Sequence, residues 1–162
     1  MNYEPRRILA TLAAHSVDSL LIGGVAGVVH GSIRTTEDVD ILCHGGPDNL
    51  ARLASALTSL EARVRGSSGP PGPIAPELLE GTSLITFETQ AGDVDVFFAV
   101  PGLTTYDDFA SRAVQVNIDG QMVTTVSRPD LITLKRATGR PEDIGAAEEL
   151  EELERLEANE PA

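Results

Sequence analysis

Apolar and polar positions along this chain repeat with two periods, and the two take turns. "PRRILATLAAHS" carries apolar residues at helical spacing and predicts a first helix. "SLLIGG" is a short apolar run stopped by glycines and reads as a buried strand. "VAGVVHG" predicts a short helix ended by Gly31, and "DVDILC" a second strand. "PDNLARLASALTSLEARV" is amphipathic along its whole length and predicts a helix over 47–64, with Pro47 and Asp48 near its start. "RGSSGPPGP" interrupts the pattern with Gly, Ser and Pro and predicts a loop. "SLITFETQAGDVDVFFAV" alternates as a β-hairpin turning at "QAG". "VQVNIDGQMVTTV" predicts a second hairpin, turning at Asp119-Gly120. "RPDLITLKRAT" and "PEDIGAAEELEELERLEA" predict two closing helices. No repeat and no second core is visible. The reading is one α+β domain over 1–162 with a mixed sheet, its core at about 15–126 and a C-terminal helical segment at about 127–158.

The pattern leaves one feature unexplained. Asp38 and Asp40 sit one residue apart in an apolar strand. Positions i and i+2 of a strand share a face, so the two carboxylates stand together and repel. A hard divalent cation such as Mg²⁺ relieves this, because it takes oxygen ligands. The alternative is a solvated or capping pair at a strand end. "GDVDVFF" repeats the arrangement with Asp93 and Asp95. A third carboxylate from a neighbouring strand completes a two-metal site that clamps the attacking and leaving oxygens of phosphoryl or nucleotidyl transfer. Asp93 follows Gly92 at the turn and reads as a hairpin residue bonding its own backbone. Asp95, between Val94 and Val96, is the choice for the third ligand. Gly23 and Gly24 lie between a strand and a helix, where backbone N–H groups can approach a phosphate. Neither G-x-x-x-x-G-K-[ST] nor G-x-G-x-x-G is present, and Gly23, Gly27 and Gly31 can equally serve close helix packing.

Composition narrows the class. With 162 residues the chain can bury a real core, and with aromatics at 4% and no Trp that core must rest on Leu, Val, Ile and Ala. No apolar run approaches the ~20 residues of a membrane span, and Glu4 does not suit a signal peptide. The single Cys43 leaves no internal disulfide, so a reducing, cytoplasmic location is expected. The net charge is −13, of which residues 148–160, with seven Glu and one Arg, supply six. Basic residues are too few for a broad phosphate-binding face, so a nucleic-acid partner would be held only at a small local site.

Taken together, the Gly-Gly, the D-x-D after thirteen intervening residues and the later apolar-Asp-apolar strand resemble the nucleotidyltransferase superfamily, with its polymerase-β-like fold. "GGVAGVVHGSIRTTEDVDI" is most similar to small bacterial members, which include the toxin components of AbiE-type toxin–antitoxin systems. "SRPDLITLKRATGRPEDI" is similar to their helical segment, so the resemblance covers roughly 18–145. It implies transfer of a nucleoside monophosphate from an NTP to an acceptor hydroxyl, on an RNA end, a protein or a small molecule. By the same resemblance, two Mg²⁺ ions (or Mn²⁺) would be held by Asp38, Asp40 and Asp95, the last as ligand or base. Gly23 and Gly24 would hold the triphosphate, Thr36 would add a hydroxyl, and Lys135 would clamp phosphate or pyrophosphate unless it is a plain surface lysine. Arg34 would contact a phosphate or pair with Glu37. Arg140 and Asp143 would pair to position Lys135, and His30 would pack rather than bind metal. Relatives often carry an Asp where this chain has Ala146, which puts the last helix's role in question. Loop 66–73 reads as a lid, an acceptor loop or a linker. The stripe Leu150, Leu153, Leu156 would dock the acidic helix on the body or on a second subunit. An antitoxin partner goes with the toxin reading. Two alternatives stand beside it: a non-catalytic binding module of the same fold, and an enzyme modifying an aminoglycoside or lincosamide, since an acidic protein suits a cationic drug.

Overall fold

The computed structural model describes residues 2–161. α1 (Pro5–Ala14) opens with a proline, which fits the first helical turn, and turns Ile8, Leu9 and Leu12 inward. β1 (Ser19–Ile22) runs directly into α2 (Gly23–Val29), so the two glycines are the first residues of the helix. β2 (Asp38–Cys43) follows, with Val39, Ile41, Leu42 and Cys43 buried. α3 (Pro47–Ser59) is shorter than its apolar pattern suggests. Glu61 takes a left-handed conformation (φ 51°), the Ala62 N–H bonds back to Leu57 O, and the chain reverses into β3 (Arg63–Val64). Ala62 and Val64 continue the apolar pattern because the sheet and its surroundings cover them, not because the helix goes on.

Beyond the loop lie a 3-10 turn (Pro76–Leu79), then β4 (Leu84–Thr89) and β5 (Gly92–Phe97), the expected first hairpin. α4 (Tyr106–Arg112) was not visible as an apolar period; its signal is the capping box of Thr105 and Asp108. β6 (Val114–Ile118) and β7 (Gln121–Thr125) form the second hairpin, with Asp119 at φ 50° in the turn. α5 (Arg128–Ala137) and α6 (Pro141–Ala158) close the chain.

One seven-stranded mixed sheet, in the order β3-β4-β5-β2-β1-β7-β6, organises these elements. β1 pairs antiparallel with β2 and parallel with β7, while β5 runs parallel to β2 and antiparallel to β4. The core is mainly aliphatic, with Leu20, Leu21, Ile41, Leu42, Leu53, Leu57 and Leu131 fully buried, and Phe87 and Phe109 are its buried aromatics. α6 is held more firmly than an acidic solvated tail would be. Leu150 is fully buried and Leu153 packs on the core, but Leu156 is 56% exposed, so the docking stripe stops one turn early. Arg34 reaches Glu149 at 2.7 Å, Arg136 reaches Glu151 at 2.9 Å and Arg128 reaches Glu157 at 2.6 Å. Among the described residues, no helix is long and apolar enough to cross a membrane.

Candidate active site

The parallel register of β2 and β5 sets Asp38 opposite Asp93 and Asp40 opposite Asp95. On the other side of β2, Ile22 pairs with Asp40, so the chain enters α2 beside that carboxylate. Carboxylate oxygens of Asp38, Asp40 and Asp95 lie within 4.8 Å of one another. Gly23 has φ 67°, and a Cβ built there would stand 1.9 Å from Asp40 Oδ2. A Cβ on Gly24 would stand 2.6 Å from Thr36 Oγ1. Both glycines therefore make room for the polar side chains of Asp40 and Thr36, a reason for Gly-Gly that the sequence alone did not offer. The Thr36 hydroxyl donates to Asp38 Oδ1 at 3.2 Å, and the Tyr3 hydroxyl donates to Asp38 O at 3.2 Å.

Burial makes the cluster electrostatically costly. The Asp40 carboxyl is pushed up to about 7, first by loss of water and then by Asp38 and Asp95, with the Gly24 N–H opposing. Asp95 is raised as well, by burial and by Asp38, while Arg65 works the other way. Asp95 Oδ1 is buried and has no hydrogen-bond partner. Three converging carboxylates, one with an orphaned oxygen, form a donor set that fits a hard divalent cation. Asp93 takes a different partner. Its Oδ2 accepts from Arg65 Nη2 at 2.7 Å, so it is an ion-pair residue inside β5 and does not bond its own backbone at the turn.

A cavity of about 1040 Å³ opens over the cluster. Gly23, Gly24, Arg34, Thr36, Asp38, Asp40, Asp95 and Lys135, the eight residues singled out from the sequence, all line it. Lys135 comes from α5, and burial lowers its ammonium from the usual range against the pull of Asp143 and Asp40. Arg34 does not pair with Glu37: its Nε donates to Glu149 on α6. Arg140 Nε donates to Asp143 Oδ2 at 2.7 Å, the expected pair, and the Thr138 hydroxyl donates to the same oxygen. His30 Nε2 donates to Val126 O at 2.8 Å, away from the carboxylates. Ile33, Leu84, Phe97 and Val100 give the cavity an apolar side. Ala146 also lines it, whereas residues 66–73 do not. Arg65 and Tyr3 escaped the sequence reading. Each lies far along the chain from its partner, and no local pattern marks either.

Residues 7–159 match the family described as "Nucleotidyltransferase of unknown function (DUF6036)". No curated protein matches the chain. Among solved structures, the chain is similar to the lincomycin-bound lincosamide antibiotic adenylyltransferase LnuA, with a TM-score of 0.64 at 14% identity over 93% of this chain and 98% of that one. It is similar to ANT(2″)-Ia in complex with adenylyl-2″-tobramycin, with a TM-score of 0.56 at 16% identity, covering 94% and 93%. An antigenic nucleotidyltransferase-like protein from Paracoccidioides brasiliensis gives a TM-score of 0.51 at 18% identity, covering 91% and 78%. At these identities the likeness is one of fold, and the fold is the nucleotidyltransferase α+β architecture expected from the sequence.

Proposed function

This chain belongs to the DUF6036 nucleotidyltransferases, and on that premise we propose that it moves a nucleoside monophosphate from an NTP to a hydroxyl of a small-molecule acceptor, with divalent metal. The observation that carries the reading is the convergence of Asp38, Asp40 and Asp95 in a cavity that Lys135 also lines. In the reaction the acceptor oxygen bonds to the α-phosphorus, the bond to the bridging oxygen breaks, and pyrophosphate leaves. Such transfer needs in-line positioning and charge neutralisation more than covalent chemistry. Asp38, Asp40 and Asp95 would hold two Mg²⁺ ions, with Mn²⁺ as a substitute, and these would neutralise charge on the attacking and leaving oxygens. Asp95 stands on the strand opposite the D-x-D and is the candidate to take the acceptor's proton. Gly23 and Gly24 put bare backbone against the cavity, where a triphosphate can lie close. Lys135 supplies a partly desolvated cation for the leaving pyrophosphate, and Thr36 and Arg34 stand beside it. α5 and α6 contribute Lys135 and Asp143 to the same cavity, which supports treating 1–162 as one working domain.

Two features favour a small acceptor over a long nucleic acid. The cavity lies at the upper end of the ~300–1,000 Å³ typical of small-ligand sites and has both a charged and an apolar side. With a net charge of −13 the chain offers little basic surface for a polymer outside the site. LnuA holds lincomycin and ANT(2″)-Ia an adenylylated tobramycin, so small acceptors occur on this fold. The test is incubation with each radiolabelled NTP and Mg²⁺ against lincosamides, aminoglycosides, total RNA and cell protein, with Asp40→Asn as control. Label on a small molecule supports the reading. Label on RNA or protein overturns the acceptor class and favours the toxin role. No pyrophosphate release with any acceptor overturns the catalytic reading in favour of a binding module.

A further inference from the structure

Asp93 and Asp95 share a face of β5 two residues apart, yet only Asp95 joins the three-carboxylate cluster. The difference lies in Arg65. Its backbone N–H donates to Thr86 O at 2.9 Å, which fixes it to β4 beside the residue paired with Asp95. From there Nη2 sits 2.7 Å from Asp93 Oδ2 and 3.8 Å from Asp95 Oδ1. That Asp95 oxygen is buried with no hydrogen-bond partner, as is Asp93 Oδ1, the oxygen that Arg65 does not bond. The same guanidinium nitrogen thus hydrogen-bonds one aspartate while reaching the other only as a looser ion pair, too long for a hydrogen bond.

We propose that Asp93 is a positioning residue that holds Arg65 off Asp95, keeping the Asp95 carboxylate free for a divalent cation. The inference rests on the metal-site reading of Asp38, Asp40 and Asp95. Without the Asp93 charge, the nearest anion for Arg65 is Asp95, and a charge-assisted bond there would compete with metal for the same oxygen. The pair Arg65–Asp93 also occupies one Asp93 oxygen, and Asp93 stays outside the three-carboxylate cluster. Its place is beside a ligand rather than on the metal, where partner groups tune affinity by orientation.

A double-mutant cycle read by Mn²⁺ binding alone, followed by electron paramagnetic resonance, tests this. Asp93→Asn should weaken Mn²⁺ binding about tenfold. Arg65→Gln should restore that loss in the Asp93→Asn background, while changing binding in the natural background by no more than about twofold, the scatter expected of uncoupled sites. Asp93→Ser should behave as Asp93→Asn does, and metal-free melting curves verify that each variant folds. If Arg65→Gln changes affinity by the same factor in both backgrounds, Arg65 acts only as a distant charge and the proposal is overturned, with the metal site intact. If the natural protein binds no Mn²⁺ that Asp40→Asn abolishes, the metal-site reading itself falls, and the proposal with it.

Discussion

Gly23 faces Asp40 so closely that a Cβ on the glycine would stand 1.9 Å from the carboxylate oxygen Oδ2. The contact joins the start of α2 to the middle of β2, and it sets how deep the Asp40 side chain lies in the site. It also explains why α2 begins with glycine. Gly23 needs both a positive φ of 67° and no side chain.

Gly23→Ala should therefore fail twice. The left-handed backbone costs roughly 1–2 kcal/mol for an L residue, and the methyl group forces Asp40 aside at a further cost of about 1–3 kcal/mol. Denaturant unfolding should show the loss of stability, and nucleotidyl transfer should fall to background even where the fold survives. A Gly23→Ala enzyme with near-normal rate would show that Asp40's placement is unimportant.

Asp40→Asn should abolish metal-dependent NTP binding and transfer while stability holds or rises, because it removes one member of a repelling cluster. The pH dependence follows the same group. Its carboxyl lies at about 7 in the folded protein against 3.8 in the ordinary case, so the folded state binds the proton more tightly than the unfolded chain. The metal-free protein is then most stable near pH 4 with respect to this group and loses stability as pH rises through 7. At about 1.4 kcal/mol per pH unit between the two values, the window spans roughly 4 kcal/mol at most. Melting temperature against pH checks this: the slope should flatten in Asp40→Asn, and Mg²⁺ at pH 7.5 should raise the natural protein's melting temperature.

Asp95→Ala should cost orders of magnitude in transfer rate, and Asp93→Ala far less. An ionised carboxylate in an apolar strand is costly unless cations compensate it, and Asp93 already has Arg65. A structure with Mg²⁺ and NTP in which Asp93 coordinates metal and Asp95 turns to protein donors would reverse this assignment.

Lys135→Met should raise KM for NTP and lower kcat together, by about tenfold or more in kcat/KM, as expected for a cation meeting the phosphates in a partly desolvated site. Because Met fills similar volume beside the buried Leu131 and Leu134, stability should change little. Steady-state kinetics with a melting curve separates the two effects. A large loss of stability with unchanged KM would mark Lys135 as structural.

Much of this protein was legible in its residues. Period-two alternation marked both hairpins, and the i, i+2 rule put Asp38 with Asp40 and Asp93 with Asp95 without reference to any other strand. Local chemistry also marked the turn at Asp119-Gly120 and the Gly-Gly break after β1, although the helix takes in both glycines rather than starting at Val25. What tertiary structure decided is which neighbours those faces meet. The order β3-β4-β5-β2 brings Arg65 beside Asp93 and sets Asp95 against Asp40. Packing of α6 gave Arg34 a partner in Glu149, where local reasoning looked to Glu37. The helix expected to reach Val64 stopped at Ser59 because Glu61 turned left-handed and the following residues joined the sheet. An apolar period records only that a residue is buried. Whether a helix or a sheet buries it, and which charge then stands opposite, depends on pairings between segments tens of residues apart, which only the closed sheet and its docked helices determine.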